Sequence, residues 1–140
     1  MRLDALETRR RFAAAEVARL ATVDGDGRPH LVPVTFAMPG PDTIAIGIDD
    51  KPKSTRDLRR LRNIARNPRV ALLADRYDPD WTRLWWARAD GRAQALTGGA
   101  WHVAAWEALR ARYPQYGDRP MDGPVIRVTV ERWSGWAFAG

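Results

Sequence analysis

The stretch 51–70 holds the residues whose types and spacing best suit chemistry, because cations gather there beside a predicted helix start. Ser54 and Asp57 are spaced like a capping box, and Pro68 disfavours helix in the residue before it, so the pattern predicts a helix over Arg56–Arg66. Backbone N–H groups without intrahelical partners and the positive end of the helix dipole lie at such a start. The cations that accompany it are Lys51, Lys53 and Arg56. Together they describe an anion site suited to phosphate.

The same helix has an alternative interpretation as an ordinary surface element. Leu58, Leu61 and Ile64 repeat at helical spacing and predict one core-facing stripe, while arginines fill the remaining surface. Arginine-rich helix faces are most often simply solvated, and spacing alone favours that interpretation over a phosphate site. Both alternatives stay open at this point.

The overall charge favours an anionic partner without identifying it. The chain has a net charge of +6, and only Lys51 and Lys53 are lysines, so its basic character is almost wholly arginine. The planar guanidinium suits phosphate and carboxylate groups. Nucleic acid, a phosphorylated cofactor or an acidic substrate would each satisfy this charge.

Length and residue usage limit the class of protein. The 140 residues, 45% of them hydrophobic, predict a single domain over 1–140 with a real core. The absence of cysteine excludes disulfides, thiolate catalysis and cysteine-ligated metals. The first residues lack an apolar signal core, and no window approaches the ~18 apolar residues of a membrane span. We therefore expect a cytoplasmic protein with no membrane partner.

Short apolar runs separated by turn signals predict an antiparallel α+β domain that is mainly β, since a parallel sheet would need helices alternating with strands throughout. The predicted strands are Val17–Val23, Pro29–Ala37, Thr43–Ile48, Val70–Ala74, Leu84–Leu96 and Val125–Trp133. Two further covering helices are predicted, one from Asp4 to Ala15 and one from Ala100 to Tyr113. Asp90-Gly91 is expected to interrupt the longest strand, and the apolar tail 135–138 is expected to dock.

Two features of the predicted strands have both a structural and a functional interpretation. Pro33 lacks an N–H, so it marks an edge strand, a bulge or backbone turned toward something other than a strand. Both faces of the hairpin that contains it are expected to be buried. Trp81, Trp85 and Trp86 are interspersed with arginines and suit either packing or a platform for a planar ring, of which packing is the commoner role.

No side-chain constellation in the sequence favours catalysis by the protein alone. His30 and His102 lie in unrelated elements without metal-ligand spacing, so structural or surface roles are expected for them. Ser54 and Ser134 lie outside any nucleophile elbow. The sequence also lacks a Walker loop and a Gly-x-Gly-x-x-Gly fingerprint. An enzyme of this sequence would rely on a bound cofactor.

Four motifs together resemble a known family. They are Lys-Pro-Lys at 51–53, Arg-Leu-Arg-Asn-Ile at 60–64, Asn-Pro-Arg-Val at 67–70 and Asp-Trp-Thr-Arg-Leu-Trp-Trp at 80–86. With the order of the predicted elements, they resemble the pyridoxamine-phosphate-oxidase-like superfamily of FMN-binding split β-barrels. More narrowly, the chain is similar to flavin/deazaflavin oxidoreductases that depend on coenzyme F420. The resemblance covers essentially the whole chain.

The resemblance implies a homodimer with two cofactor sites at the subunit interface. It assigns the cofactor's phosphate and anionic tail to Lys51, Lys53, Arg60, Arg62 and Asn63. It assigns the ring-facing backbone to Pro33, Val34 and Thr35. Walls of the site, some from the other subunit, are assigned to Trp81, Trp85, Trp86 and Trp136. The loop before the helix is longer than in pyridoxamine phosphate oxidases, and Arg60 stands where many relatives have lysine, which leaves the division of roles among the cations open.

The resemblance also implies a reaction. We expect hydride transfer from reduced F420 to an unsaturated small-molecule acceptor, with no proton donor assigned and no residue that specifies the substrate. The alternatives are an FMN enzyme, a haem- or tetrapyrrole-binding relative, and a cofactor-binding protein without turnover. A nucleic-acid binder would rest only on charge and on arginines interleaved with tryptophans, and no nucleic acid is expected.

Overall fold

An antiparallel β-sheet of eight strands forms the framework of the chain. A computed structural model describes residues 1–48, 58–117 and 122–139. The strands are β1 (Arg2–Leu3), β2 (Ala18–Val23), β3 (Pro29–Val34), β4 (Ala37–Gly40), β5 (Thr43–Gly47), β6 (Arg69–Arg76), β7 (Trp85–Leu96) and β8 (Val125–Ala137). The helices within these ranges are α1 (Ala5–Ala14), α2 (Arg59–Arg66) and α3 (Ala100–Arg112).

The strands follow the order β3-β2-β6-β7-β8-β5-β4, and β1 pairs with the far end of β8. Every pair among the described strands is antiparallel. β7 and β8 pair along almost their whole length, so this ladder joins the two halves of the sheet. β3 pairs only with β2 in the described part of the chain and is therefore an edge strand.

The main core lies on one side of the sheet, where α1 and α2 pack. Phe12 of α1 is fully buried, with its ring centroid 4.8 Å from that of Phe36 and 5.3 Å from that of Trp133. Ile64 of α2 joins the same cluster. Asp4 caps α1 by accepting a hydrogen bond from the Glu7 N–H at 2.8 Å, as the capping-box spacing predicts.

Helix α3 packs on the opposite face of the sheet and covers only one half of it. Trp106 and Leu109 form a second buried cluster with Ala45 and Val125, on β5 and the start of β8. The helix approaches so closely that a Cβ at Gly47 would lie 2.5 Å from the Trp106 ring. The remaining half of this face, over β3, β2, β6, β7 and the end of β8, has no helix on it in the described ranges.

We call this uncovered surface the outer sheet face. The strand registers place its members directly opposite one another: Pro33 and Leu73 each lie opposite Arg19, and Leu73 lies opposite Arg88. Leu31 is 67% exposed there, although it is a large apolar side chain on a strand. The expectation that both faces of the β2–β3 hairpin are buried within the chain is therefore wrong, because no described element covers this side.

The predicted start of the second helix is also wrong. Leu58 is extended, with φ −80° and ψ 145°, and α2 begins at Arg59 rather than at Arg56. Leu58 packs against the main core from this extended position, so burial of its side chain sets the helix start. The predicted capping pair Ser54 and Asp57 lies outside the described residues.

Two strand boundaries differ from the predictions for related reasons. The run Pro29–Ala37 is broken between β3 and β4 at Phe36, whose ring is fully buried against α1 and whose backbone bonds to Tyr113 instead of a strand. The final strand continues to Ala137, so the docked tail is part of β8 and pairs with β1 and β7. β7 runs unbroken from Trp85 to Leu96, so the predicted interruption at Asp90-Gly91 is a register shift against β8 and not a break in the strand.

Gly91 is required at this shift, because a Cβ there would lie 2.2 Å from the carbonyl oxygen of Thr129. We expect Gly91→Ala to lower the free energy of unfolding by about 2 kcal/mol or more, since the clash is with backbone that a rotamer change cannot relieve. Gly98→Ala is the control, because a Cβ there meets nothing within 4 Å. Urea denaturation of both variants tests this prediction. Equal unfolding midpoints would contradict it and would show that the β7–β8 backbone shifts to accommodate the added Cβ.

Candidate functional site

In the described part of the chain, the N-terminus of helix α2 has no side-chain cap. Its N-cap residue, Leu58, makes no side-chain cap hydrogen bond, and the first turn carries no acidic side chain. The helix itself therefore supplies neither a capping oxygen for its first N–H groups nor a carboxylate near the positive end of its dipole. The predicted cations Lys51 and Lys53 lie outside the described residues, so they stay predictions.

Arg60, in this first turn, is the described cation that best fits an anion. Its side chain is half-buried, and its Nε is inaccessible to solvent without a hydrogen-bond partner. Burial lowers the pKa of the Arg60 guanidinium, because the charged form loses hydration that no acceptor replaces. A phosphate or carboxylate would supply the missing acceptor. Arg62, by contrast, is exposed.

Asn63 has a structural partner that the sequence did not reveal. It is buried at 4% exposure, and its Nδ2 donates to the Thr22 hydroxyl at 2.9 Å. This bond ties α2 to the inner side of β2. A packing role therefore accounts for Asn63, and its predicted contact with a cofactor stays a prediction.

His30 lies beside this bond and was not predicted as a site residue. It is directly opposite Thr22 in the β2–β3 ladder, and its Nδ1 is buried without a hydrogen-bond partner. The sequence held no signal for this, because the register that places His30 opposite Thr22 is a property of the sheet. His30 is a second unsatisfied polar group near this helix.

The predicted ring-facing segment lies at the other end of β3. Pro33 is exposed on the edge strand, Val34 is buried and Thr35 is half-buried. The Thr35 hydroxyl is 2.9 Å from the hydroxyl of Tyr116. From His30 to Thr35 is five residues, or about 16 Å of extended strand. A ligand that contacts both Thr35 and the surroundings of His30 must therefore span this length.

Two residues at the C-terminal end of α3 hold this segment in place and were missed by sequence reasoning. The Tyr113 hydroxyl accepts a hydrogen bond from the Phe36 N–H at 3.2 Å and lies 2.9 Å from the Phe36 carbonyl oxygen. Arg112 donates to the same carbonyl at 2.8 Å. The sequence did contain a signal for them, the run Arg-Tyr-Pro-Gln-Tyr at 112–116. In this run, two tyrosines flank the proline that ends the predicted helix.

The tryptophans predicted as walls divide into two groups. Trp85 packs against the main core beneath the Arg11 guanidinium, 5.9 Å from its ring centroid. Trp86 and Trp136 lie directly opposite each other on the outer sheet face. Trp81 is 65% exposed. Two cavities of about 300 and 370 Å³ meet at Trp86 and Arg88 on that face.

Neither a metal centre nor a membrane-spanning helix is found in the described ranges. No group of three or more histidine, cysteine or acidic side chains there has the arrangement of a metal site. None of the helices in those ranges has the length and apolar character that crossing a membrane requires.

Comparison with known proteins identifies the family. The family model of pyridoxamine 5′-phosphate oxidase matches residues 6–137. The chain belongs to the pyridoxamine 5′-phosphate oxidase family. A relative from Streptomyces rimosus subsp. rimosus, a 5a,11a-dehydrotetracycline/5a,11a-dehydrooxytetracycline reductase, is 36% identical over 127 residues, covering 87% of this chain and 75% of its own.

Solved structures confirm the split-barrel fold of this family member. A FAD-binding protein from Mesorhizobium loti superposes with a TM-score of 0.73 at 23% identity, over 96% of this chain and 95% of its own. A haem storage protein from Vibrio cholerae superposes with a TM-score of 0.70 at 18% identity, over 94% of this chain and 89% of its own. At these identities the likeness shows the fold alone, and the predicted mainly antiparallel split β-barrel is confirmed.

The Asn63–Thr22 bond gives a test of the packing role. We expect Asn63→Ala to lower the free energy of unfolding by about 1–3 kcal/mol, because the buried Thr22 hydroxyl loses its partner. Arg59→Ala, on the exposed side of the same helix, should change it by no more than about 0.5 kcal/mol. Chemical denaturation measures both. Full stability of Asn63→Ala would argue instead that the amide is kept for a ligand.

Proposed function

We propose that the chain is an oxidoreductase that binds the deazaflavin coenzyme F420 and transfers a hydride from it to an unsaturated organic acceptor. The general class, an oxidoreductase that uses a flavin or a deazaflavin, is supported by membership of an oxidase family and by a relative named as a reductase. The observation that carries the proposal is Arg60, a half-buried guanidinium with an unsatisfied N–H at the start of an uncapped helix.

Arg60 suits the anionic end of such a cofactor. A partly buried cation loses some of its hydration, and an anion compensates for that loss by supplying both charge and hydrogen-bond acceptors. The positive end of the α2 dipole lies at the same helix start and also favours an anion there. Lys51 and Lys53 precede this turn in the chain and would add charge to the same site.

The remaining parts of the site suit the ring. Pro33 and Val34 lie on the edge strand β3 and Thr35 follows it directly, so backbone groups here are not consumed by a second neighbouring strand. The Thr35–Tyr116 and Phe36–Tyr113 contacts fix this backbone before any ligand arrives. When bound, the deazaflavin supplies the hydride chemistry, while the chain binds the ring, orients it and excludes water.

F420 is proposed over FMN because of charge. Both carry a phosphate, but the deazaflavin also carries a tail with several carboxylates. Helix α2 contributes Arg59, Arg60, Arg62 and Arg66 and no acidic side chain. A cationic cleft favours the more negatively charged ligand, and exposed contacts of this kind weaken with salt over a Debye length of ~8–10 Å.

We expect Arg60→Met to weaken F420 binding by about tenfold, because a charge-assisted contact contributes ~1.5–3 kcal/mol. The same variant should keep or raise the melting temperature of the cofactor-free protein, since it removes a desolvated cation without a partner. Fluorescence titration and thermal denaturation measure the two effects.

Arg69→Met is the matched control, because Arg69 is an exposed arginine on β6. It removes one charge and should leave F420 affinity within about twofold. Parallel titrations with FMN and haem, at low and high salt, decide among the cofactors. Tighter binding of FMN or haem than of F420, or a preference for F420 that salt does not reduce, would contradict the F420 assignment.

We also propose that the protein is a homodimer formed through the outer sheet face, with the cofactor at the subunit interface. Leu31 and Leu73 are exposed there, on β3 and β6, and a further 65% exposed tryptophan, Trp81, follows β6. Pro33 shares this face with Leu31, so the predicted ring-facing strand borders the same surface. A second copy offers matching apolar side chains, as an isologous interface requires.

Charge on this face should separate the subunits. We expect Leu31→Asp combined with Leu73→Asp to convert a dimer to a monomer at micromolar concentration, because burying a leucine contributes about 1.5–3 kcal/mol and burying an unpaired carboxylate is costly. Val103→Asp is the control, at a 56% exposed apolar residue on α3. Analytical ultracentrifugation measures the molecular mass of the parent protein and of each variant. If the parent protein is a monomer, both the proposed interface and the proposed cofactor site between subunits are wrong.

A further inference from the structure

Arg112, the last residue of α3, joins three separate parts of the chain. Its guanidinium donates a hydrogen bond to the Phe36 carbonyl at 2.8 Å and another to the Ala15 carbonyl. Ala15 is the C-cap residue of α1, and Phe36 lies in the connection between β3 and β4. Arg112 therefore fixes the end of α1, the end of α3 and the residue after the predicted ring-facing segment relative to one another.

An arginine suits this junction for three reasons. The planar guanidinium holds its N–H donors in fixed directions, so two carbonyl groups that it binds are oriented together. A cation is favourable at the C-terminal end of a helix, here the end of α1. The guanidinium also lies 4.7 Å from the ring centroid of Phe36, which is fully buried. Arg112 forms no ion pair with a described residue, so carbonyl groups and aromatic rings account for its placement.

Tyr113 cannot replace Arg112 at the Phe36 carbonyl. Its hydroxyl oxygen lies 2.9 Å from the carbonyl oxygen of Phe36 and 2.8 Å from that of Glu16. A tyrosine hydroxyl has one proton, so it donates to one of these acceptors at a time. Arg112 serves the Phe36 carbonyl whichever acceptor Tyr113 uses, because a guanidinium has several N–H donors. Loss of Arg112 would leave this part of the backbone less firmly held.

This part of the backbone continues directly into the candidate cofactor site. Thr35 is joined to Phe36 by a planar peptide bond, so a shift of Phe36 also moves Thr35. The Thr35 hydroxyl in turn lies 2.9 Å from that of Tyr116, in the turn that follows α3. The geometry of this contact therefore depends on how Arg112 joins Phe36 to the end of α3.

We propose that Arg112 is a positioning residue for the ring of the bound deazaflavin. By tying Phe36 to the ends of α1 and α3, it holds the backbone of Pro33, Val34 and Thr35 in the binding geometry before the ligand arrives, which reduces the entropy cost of binding. The inference rests on the proposed function, because it requires the ring to lie against this segment. The phosphate end is assigned to α2, so Arg112 acts on the ring and not on the phosphate.

Fluorescence titration with two ligands tests this role. One ligand is F420, and the other is the same deazaflavin ring with its ribityl chain but without phosphate or tail. We expect Arg112→Met to weaken the binding of both by about tenfold, so that the ratio of the two affinities stays the same. Arg60→Met should instead weaken F420 alone and change the ratio. The fluorescence anisotropy of the saturated Arg112→Met complex should also fall, because the ring is held less rigidly.

A milder variant and a control separate positioning from general stability. Arg112→Lys keeps a cation at the end of α1 but loses the planar fork, so it should weaken both ligands by about threefold, and it provides the test if Arg112→Met does not fold. Arg10→Met removes a 71% exposed arginine of α1 and should leave both affinities within about twofold. Melting temperatures of all variants show whether each protein is folded during the titration.

The outcomes distinguish this role from the proposed function. Unchanged affinities and anisotropy in a folded Arg112 variant would overturn the positioning role and leave the F420 assignment standing. A loss restricted to F420 would place the action of Arg112 at the phosphate, and an equal loss in Arg10→Met would show a nonspecific effect of charge, so either would also overturn it. If the parent protein binds neither deazaflavin, the proposed function fails and the positioning role fails with it.

Discussion

The pairing of β7 with β8 is the interaction on which the rest of the structure depends. β8 carries β7 along one edge and both β5 and β1 along the other, while β7 carries β6 and, through it, the β2–β3 hairpin. At the register shift, Asp90 lies opposite Arg132 and Gly91 lies opposite Val130, so Glu131 is the extra residue of a bulge. The bulge turns successive halves of β8 so that the same side of the sheet stays buried.

This bulge explains what the sequence could and could not predict about the final strand. Ile126, Val128 and Val130 are buried before it, whereas Gly135 and Ala137 are buried after it. The alternation that predicts a strand therefore loses its phase at Glu131, and the last residues resemble a separate docked tail. The signals for the β2–β3 hairpin, by contrast, act locally, which is why that hairpin was predicted from the residues alone.

The candidate site was harder to predict, because its parts are made by long-range contacts. The cations of α2 were recognised from composition and family motifs, but the partner of Asn63 is Thr22, 41 residues away. The partner of Thr35 is Tyr116, 81 residues away. Spacing along a helix carries no information about such contacts. Leu58 shows the same effect, since tertiary burial overrode the local signals for the helix start.

The prolines of β3 have a consequence for how the protein avoids uncontrolled assembly. An edge strand offers a row of free backbone groups that can recruit a foreign strand and extend the sheet without limit. Pro29 and Pro33 remove two of the six N–H groups that β3 would otherwise possess. A continuous new ladder cannot form along such an edge. The strand is thereby protected against fibril-like growth, and any association on this side must proceed through side chains of a sheet face rather than through an added strand.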